Sequence, residues 1–136
     1  MTDKPKKKIS PRGAREKGFQ FERDLIAFFK EALGLDLARG VAGAQAFNKA
    51  KGSVDIFGLP HLAVEAKRTE KFMLNEFMSQ AVRNAGGQDI PVVMHRMSRQ
   101  KMDDSSVVLR LSDFTRLYDA YLRYHGFKPD DQSADL

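Results

Sequence analysis

Apolar residues recur at intervals of three and four in three stretches of the chain, and they alternate or run together in the stretches between. In Gly18 to Leu33 ("GFQFERDLIAFFKEAL"), Leu25, Ile26, Phe29 and Leu33 share one stripe, which predicts a helix stopped by Gly34. Glu22 falls on the same stripe one turn before Ile26, so its carboxylate is directed to the core or a cleft beside it. Phe72 to Asn84 repeats the pattern with Leu74, Phe77, Met78, Ala81 and Val82, and Gly86-Gly87 ends it. A third helix, capped by Ser112 and closed by Gly126, carries Phe114, Leu117, Tyr118, Tyr121 and Leu122 as its core-facing stripe, with Tyr124 off it.

Strands are predicted at Ser53 to Phe57, Leu62 to Lys67, Ile90 to Met97 and Ser106 to Leu111. Leu35 to Gly52, rich in Gly and Ala, reads as a short irregular strand near Arg39 followed by a mobile basic loop with Asn48, Lys49 and Lys51. The connector Gly58-Leu59-Pro60-His61 is too short for a parallel crossover, so the two strands it joins form an antiparallel hairpin. The order α-β-β-β-α-β-β-α predicts an α/β domain with a mixed sheet flanked by helices, and no internal repeat is evident.

A length of 136 residues gives one domain, and 42% hydrophobic with 30% charged residues is a globular composition. The absence of cysteine excludes disulfides, a thiolate zinc site and a cysteine nucleophile. No apolar run approaches the roughly 20 residues that span a bilayer, and the basic N-terminus lacks the apolar stretch of a secretion signal. The expectation is therefore a cytoplasmic protein of a bacterial, archaeal or phage-infected cell, with no membrane partner. The net charge of +5 is concentrated in residues 1–17, where Lys4, Lys6, Lys7, Lys8, Arg12, Arg15 and Lys17 face only Asp3 and Glu16. Such a segment, with Pro5, Pro11 and Gly13, reads as a flexible arm that either seeks phosphate or merely aids solubility. Residues 128–136 read as a disordered acidic tail, which leaves 18–127 as the folded domain.

Charge inside the strands changes the picture most. Alternation puts Glu65 and Lys67 on one side of their strand, away from Val64 and Ala66, and Asp55 on the side opposite Val54 and Ile56. A hairpin centred on Pro60 sets Asp55 opposite Glu65, where like charges are destabilising. Lys67 alone leaves a surplus acid, and more so if Glu22 reaches the same spot. A hard divalent cation with oxygen ligands resolves the imbalance; Mg²⁺ takes one or two carboxylates plus water and substrate phosphate. The alternative is a salt-bridged structural cluster, in which that acid stays unpaired.

An Asp in "SVD" followed by Glu-x-Lys in "VEAK" resembles the PD-(D/E)xK nuclease superfamily. Within it, "KGFQFERDLIAFF", "NKAKGSVDIFG" and "LAVEAKRTEK" resemble the archaeal-type Holliday junction resolvases over about Lys17 to Leu111. The resemblance implies a restriction-endonuclease-like core and cleavage of branched or duplex DNA. It implies that Asp55, Glu65 and the Ala66 carbonyl ligate Mg²⁺ (with Mn²⁺ able to substitute), and that Glu22 completes the site directly or through water. Lys67 would help deprotonate the attacking water or stabilise the charge that develops on phosphorus. Gln80 stands where superfamily members keep a glutamine that orients the lysine, though it also fits as a border residue of its helix. A homodimer making paired nicks is implied too, with no small-molecule cofactor.

Val54 stands where the superfamily's name-giving proline would be, and Ser53 is the nearest counterpart of the resolvases' active-site-loop serine. Candidates for DNA contact are Arg12, Arg15, Lys17, Arg23, Lys49, Lys51, Ser53, Arg68 and Lys71; Arg68 and Lys71 fit a solvated loop equally well. His61, His95 and His125 share no ligand spacing. Two further readings stay open: another nuclease or nickase of the superfamily, and a non-catalytic DNA-binding module.

Overall fold

The first helix starts earlier than its apolar stripe. In the computed structural model, which describes residues 10–47, 49, 54–87 and 89–130, α1 runs Pro11–Leu33. The Ser10 hydroxyl accepts from the Gly13 N–H at 3.1 Å, and Pro11 occupies the first turn, where its missing N–H costs nothing. Arg12, Arg15 and Lys17 are thus helical, not part of a flexible arm, and residues 1–9 lie outside the described set. The helix was missed there because an exposed amphipathic end has no apolar stripe to reveal it, only a cap. At the other end Gly34 takes φ +69° and its N–H donates to the Lys30 carbonyl, as predicted.

The remaining elements are β1 (Ala38–Arg39), α2 (Gly40–Ala46), β2 (Ile56–Phe57), β3 (Leu62–Arg68), α3 (Leu74–Ala85), β4 (Ile90–Arg96), a 3-10 turn (Met102–Asp104), β5 (Ser106–Val108) and α4 (Leu111–Tyr124). They build a five-stranded mixed sheet in the order β1-β2-β3-β4-β5. Only β3 and β4 are parallel, joined through α3; the other neighbours are antiparallel. The hairpin register is Ile56↔Val64, which is the pairing that centring on Pro60 predicts. His61 takes φ +66° in that turn.

The α2 helix replaces part of the expected basic loop. Gly43 makes it possible: a Cβ there would lie 2.5 Å from the Phe57 ring and 2.9 Å from the Ala38 carbonyl, so the helix packs backbone-close on the β1–β2 ribbon. The core lies between α1 and the sheet, where Phe21 and Leu25 meet Ile56, Val64, Val92 and Met94. Leu33, expected in that stripe, is 61% exposed at the C-terminal end of α1. The opposite face of β3 and β4 is covered by α3, which fully buries only Ala81.

At α4 the prediction needs two corrections. Arg110, not Ser112, holds the N-cap position, and its guanidinium Nε donates to the Asp113 carboxylate at 2.8 Å. Nor is the aromatic stripe in the core: Phe114, Tyr118 and Tyr121 are about half exposed, because the helix docks by its Asp113 and Leu117 flank. Tyr124 is exposed, as expected. Lys128, assigned to the tail, is tied to Asp119, while residues 131–136 lie outside the described set. Among the described residues no helix is long and apolar enough to cross a membrane.

Candidate active site

The expected strand around Asp55 is cut short by the aspartate itself. Its N–H donates to the Val64 carbonyl at 3.0 Å, and its Oδ2 accepts from the Ala66 N–H at 2.9 Å. A side chain thus takes a donor of β3 just before β2 begins at Ile56, locking the carboxylate against the backbone of the Glu65–Lys67 segment.

Glu65 is 1% exposed, and its Oε1 accepts from the Asn84 side-chain amide at 2.7 Å. Burial first, then the Asp55 charge beside it, pushes its carboxyl up to about 7; the Asn84 bond and the Lys67 charge act in the opposite direction. A hydrogen bond between the Glu65 and Asp55 carboxyls adds to the rise, so the two groups are adjacent, as the hairpin arithmetic requires.

Lys67 extends from the same face of β3. Its Nζ donates to Gln80 Oε1 at 2.7 Å and lies 5.4 Å from the centre of the Phe77 ring. Gln80 and Asn84 are one helical turn apart on α3, matching the separation of Lys67 and Glu65 along one face of β3. Each polar residue of the strand therefore meets its own amide on the helix.

Glu22 is 8% exposed on the buried side of α1, and burial followed by the Asp55 charge raises its carboxyl to about 7. Arg39, Arg23 and Lys67 oppose the rise, which places Glu22 within the electrostatic reach of the same cluster. Arg39, at the end of β1, also sits 4.7 Å from the centre of the Phe19 ring.

The structure thus gathers Glu22, Asp55, Glu65, Ala66, Lys67 and Gln80, all named from the sequence. Asn84, Phe77 and Arg39 were not given roles there. Asn84 was legible in principle as the polar residue one turn after Gln80, but it looked like the end of a helix stripe. Of the residues expected at DNA, Arg12, Arg15 and Arg23 are exposed along α1, with Lys17 half-buried beside them. Lys49 approaches the Asp89 carboxylate at 4.0 Å. Arg68 is engaged within the chain, donating to the Ser98 hydroxyl at 3.2 Å beside Glu70, whereas Lys71 is exposed. Lys51 and Ser53 lie outside the described residues. His95 is buried, its Nε2 at 2.9 Å from both the Thr69 hydroxyl and the Thr69 carbonyl. The carbonyl can only accept, so Nε2 carries the proton and the ring ties β4 to the loop that follows β3.

Among the described residues no set of three or more His, Cys, Asp or Glu side chains is gathered closely enough to hold a metal ion. The donor set is two adjacent carboxylates, which suits Mg²⁺ with water and phosphate completing its shell better than an all-protein cage. Burial first and the Asp55 charge second drive both Glu22 and Glu65 up to about 7, against the opposing pull of the cations around them. No protein-family model, curated protein or solved structure matches the chain.

Proposed function

We propose that the chain is a divalent-metal-dependent endodeoxyribonuclease with a restriction-endonuclease-like core, selective for branched DNA and most simply read as a Holliday junction resolvase. The observation that carries the reading is the Asp55–Glu65 pair: two adjacent carboxyls, one fully buried and raised to about 7, beside a lysine held by Gln80. A purely structural cluster has no use for such a pair, because replacing buried charges by apolar groups is generally neutral or stabilising.

Asp55, Glu65 and the Ala66 carbonyl would hold Mg²⁺ or Mn²⁺, which when bound supplies a lowered pKa for water and neutralises phosphate charge. The chain's own residues do the positioning. The Ala66 N–H fixes Asp55 by its Oδ2, and Asn84 fixes Glu65 by its Oε1. Lys67, drawn toward Gln80, presents its ammonium to the charge that develops on the phosphoryl oxygens. Glu22, with a carboxyl near 7, can hold or release a proton at neutral pH beside the same cluster. Arg12, Arg15 and Arg23, exposed on the helix that carries Glu22, would contact the phosphate backbone.

The test is cleavage of a four-way junction, a Y-fork, a nicked duplex and a linear duplex in Mg²⁺, with Asp55→Asn as the control. Paired incision of the junction alone supports the resolvase reading. Equal cutting of linear duplex assigns a different nuclease of the same chemistry. Binding without Mg²⁺-dependent cutting of any substrate overturns the enzyme reading in favour of a DNA-binding module.

A further inference from the structure

Phe77, Gln80 and Asn84 stand at i, i+3 and i+7 on α3, one stripe turned toward β3. Gln80 and Asn84 each hold a charged residue of that strand, and Phe77 lies beside the first of these pairs. Lys67 Nζ sits over the face of the Phe77 ring, 5.4 Å from its centre, while it donates to Gln80 Oε1 at 2.7 Å. At that distance a cation is drawn to the negative face of an aromatic ring.

The ring is itself held in place from the loop and from the sheet. Phe72, between β3 and α3, meets it at 5.8 Å and 66°, and the His95 ring lies 6.2 Å from Phe77 and 4.9 Å from Phe72. His95 is the register partner of Lys67 across the parallel β3–β4 pair, so both project on the face that α3 covers. The proton on its Nε2 is given to the Thr69 carbonyl, which fixes the loop that carries Phe72. These rings stand apart from the apolar core between α1 and the sheet, and Phe72 keeps 40% of its surface exposed.

We infer that Phe77 is a positioning residue for Lys67: its ring face and the Gln80 amide oxygen form one seat that fixes the direction of the ammonium. This role rests on the proposed nuclease reading, in which Lys67 meets the charge that develops at phosphorus. A lysine head rides on a flexible four-carbon stem, and a single hydrogen bond leaves it free to swing about its acceptor. The ring supplies the second point of hold. It acts through its quadrupole on the charge and not as a hydrogen-bond acceptor for a particular N–H. Of the three donors of the ammonium, one is spent on Gln80 and two remain for phosphoryl oxygen. A further amide or carboxylate in place of the ring would hold the head as firmly but take another donor from phosphate. An aliphatic side chain would fill the space and leave the cation unheld.

The experiment has two readouts on the full chain. The first is single-turnover cleavage of a four-way junction in Mg²⁺, with junction affinity measured in Ca²⁺. The proteins are the wild type, Phe77→Leu, Phe77→Tyr, and a series with mono-, di- and trifluorinated phenylalanine at position 77. The second is the NMR signal of the Lys67 ε-methylene without DNA, assigned by its loss in Lys67→Arg. Phe77→Leu should cut about 10-fold more slowly, the scale of a partly desolvated cation–π contact. Phe77→Tyr should cut near the wild-type rate. Each added fluorine weakens the negative face of the ring while changing its shape little, so the rate should fall stepwise with junction affinity and melting temperature unmoved. The Lys67 ε-methylene should lie upfield of the other lysines in the wild type and return to their position in Phe77→Leu.

Wild-type cutting by Phe77→Leu overturns the seat. So does a fluorinated series that cuts at one rate, which makes Phe77 a packing residue, and so does an unshifted ε-methylene in the wild type. Absence of cutting in every protein, the wild type included, overturns the catalytic role together with the nuclease reading. An upfield Lys67 signal lost in Phe77→Leu would still support the seat in that case, so the two failures are distinguishable.

Discussion

Asn84 reaches Glu65 from one helical turn beyond Gln80, its Nδ2 lying 2.7 Å from Oε1. This neutral side chain holds the buried carboxyl, and its bond favours the charged form of a group that burial pushes the other way. Asn84→Ala removes that support and leaves Glu65 freer to rotate away from Asp55. Cleavage is expected to fall about 10- to 100-fold, the usual cost of losing a group that orients a metal ligand. The acidic limb of the pH–rate profile should move to higher pH, while DNA affinity measured in Ca²⁺ stays near wild type. An unchanged pH profile with slower cutting would make Asn84 a packing residue only.

Asp55→Asn and Glu65→Gln should each abolish cleavage yet leave junction binding intact or tighter. Losing a ligand disables the activation of water, whereas removing negative charge eases the approach of phosphate. Turnover close to wild type in either variant, measured on the four-way junction, would remove the carboxylate pair from the mechanism.

Lys67→Ala should lose catalysis, and Lys67→Arg should restore little of it. The guanidinium is larger than the ammonium, cannot exchange a proton near neutral pH, and would not fit the same 2.7 Å bond to Gln80. Gln80→Ala is expected to be milder than Lys67→Ala, because it leaves the charge and removes only its anchor. Single-turnover rates on a junction substrate check the ranking.

The raised carboxyls of Glu22 and Glu65 also make stability depend on pH in a particular direction. Each is shifted from 4.5 to about 7, so the folded state holds protons that the unfolded state has released between those values. Their contribution is fully present below about pH 4.5 and is lost as pH rises through about 7. Glu70 and Asp119, whose carboxyls are held low by their hydrogen bonds, act in the opposite sense but only below the ordinary carboxylate range. Metal-free protein should therefore melt at a higher temperature at pH 5.5 than at pH 8, Glu65→Gln should flatten the difference, and Mg²⁺ should raise the melting temperature more at pH 8 than at pH 5.5. Thermal melts with and without Mg²⁺ read all three. A metal-free protein that melts higher at pH 8 contradicts the assignment.

What the sequence made legible was whatever depends on alternation and short loops. Asp55 comes up against the Glu65–Lys67 segment because a short connector sets the hairpin register that pairs Ile56 with Val64. Glu22 followed from the stripe it shares with buried residues and Lys67 from the face it shares with Glu65, whereas Gln80 was named only through the resemblance and fitted a border residue of its helix as well. The α2 helix was hidden because its cause is a close approach at Gly43, a tertiary contact with no periodic trace. The aromatic stripe of α4 misled for the opposite reason. Its period is genuine, but period tells only that a face is apolar, not which surface covers it. The same ambiguity concealed the start of α1, where Ser10 and Pro11 say more than any stripe.

The start of α1 separates two roles that a basic N-terminus would otherwise blend. Ser10→Ala removes the acceptor for the Gly13 N–H and should cost about 1 kcal/mol of stability, as helix caps do. It carries no charge, so the salt dependence of DNA binding should not change. Arg12→Ala with Arg15→Ala does the reverse: both side chains are exposed on α1, so the melting temperature should hold while affinity falls. If both touch phosphate, the slope of log affinity against log salt should become shallower by up to about 1.8. Deleting residues 2–9 removes Lys4, Lys6, Lys7 and Lys8 and should flatten the slope further, by as much as about 3.6. Preference for junction over duplex should survive all three changes, since phosphate contacts set position and not shape. A double arginine variant with an unaltered salt slope would take α1 out of the DNA interface. A loss of junction preference in that variant would instead make the helix a rigid reader of DNA shape.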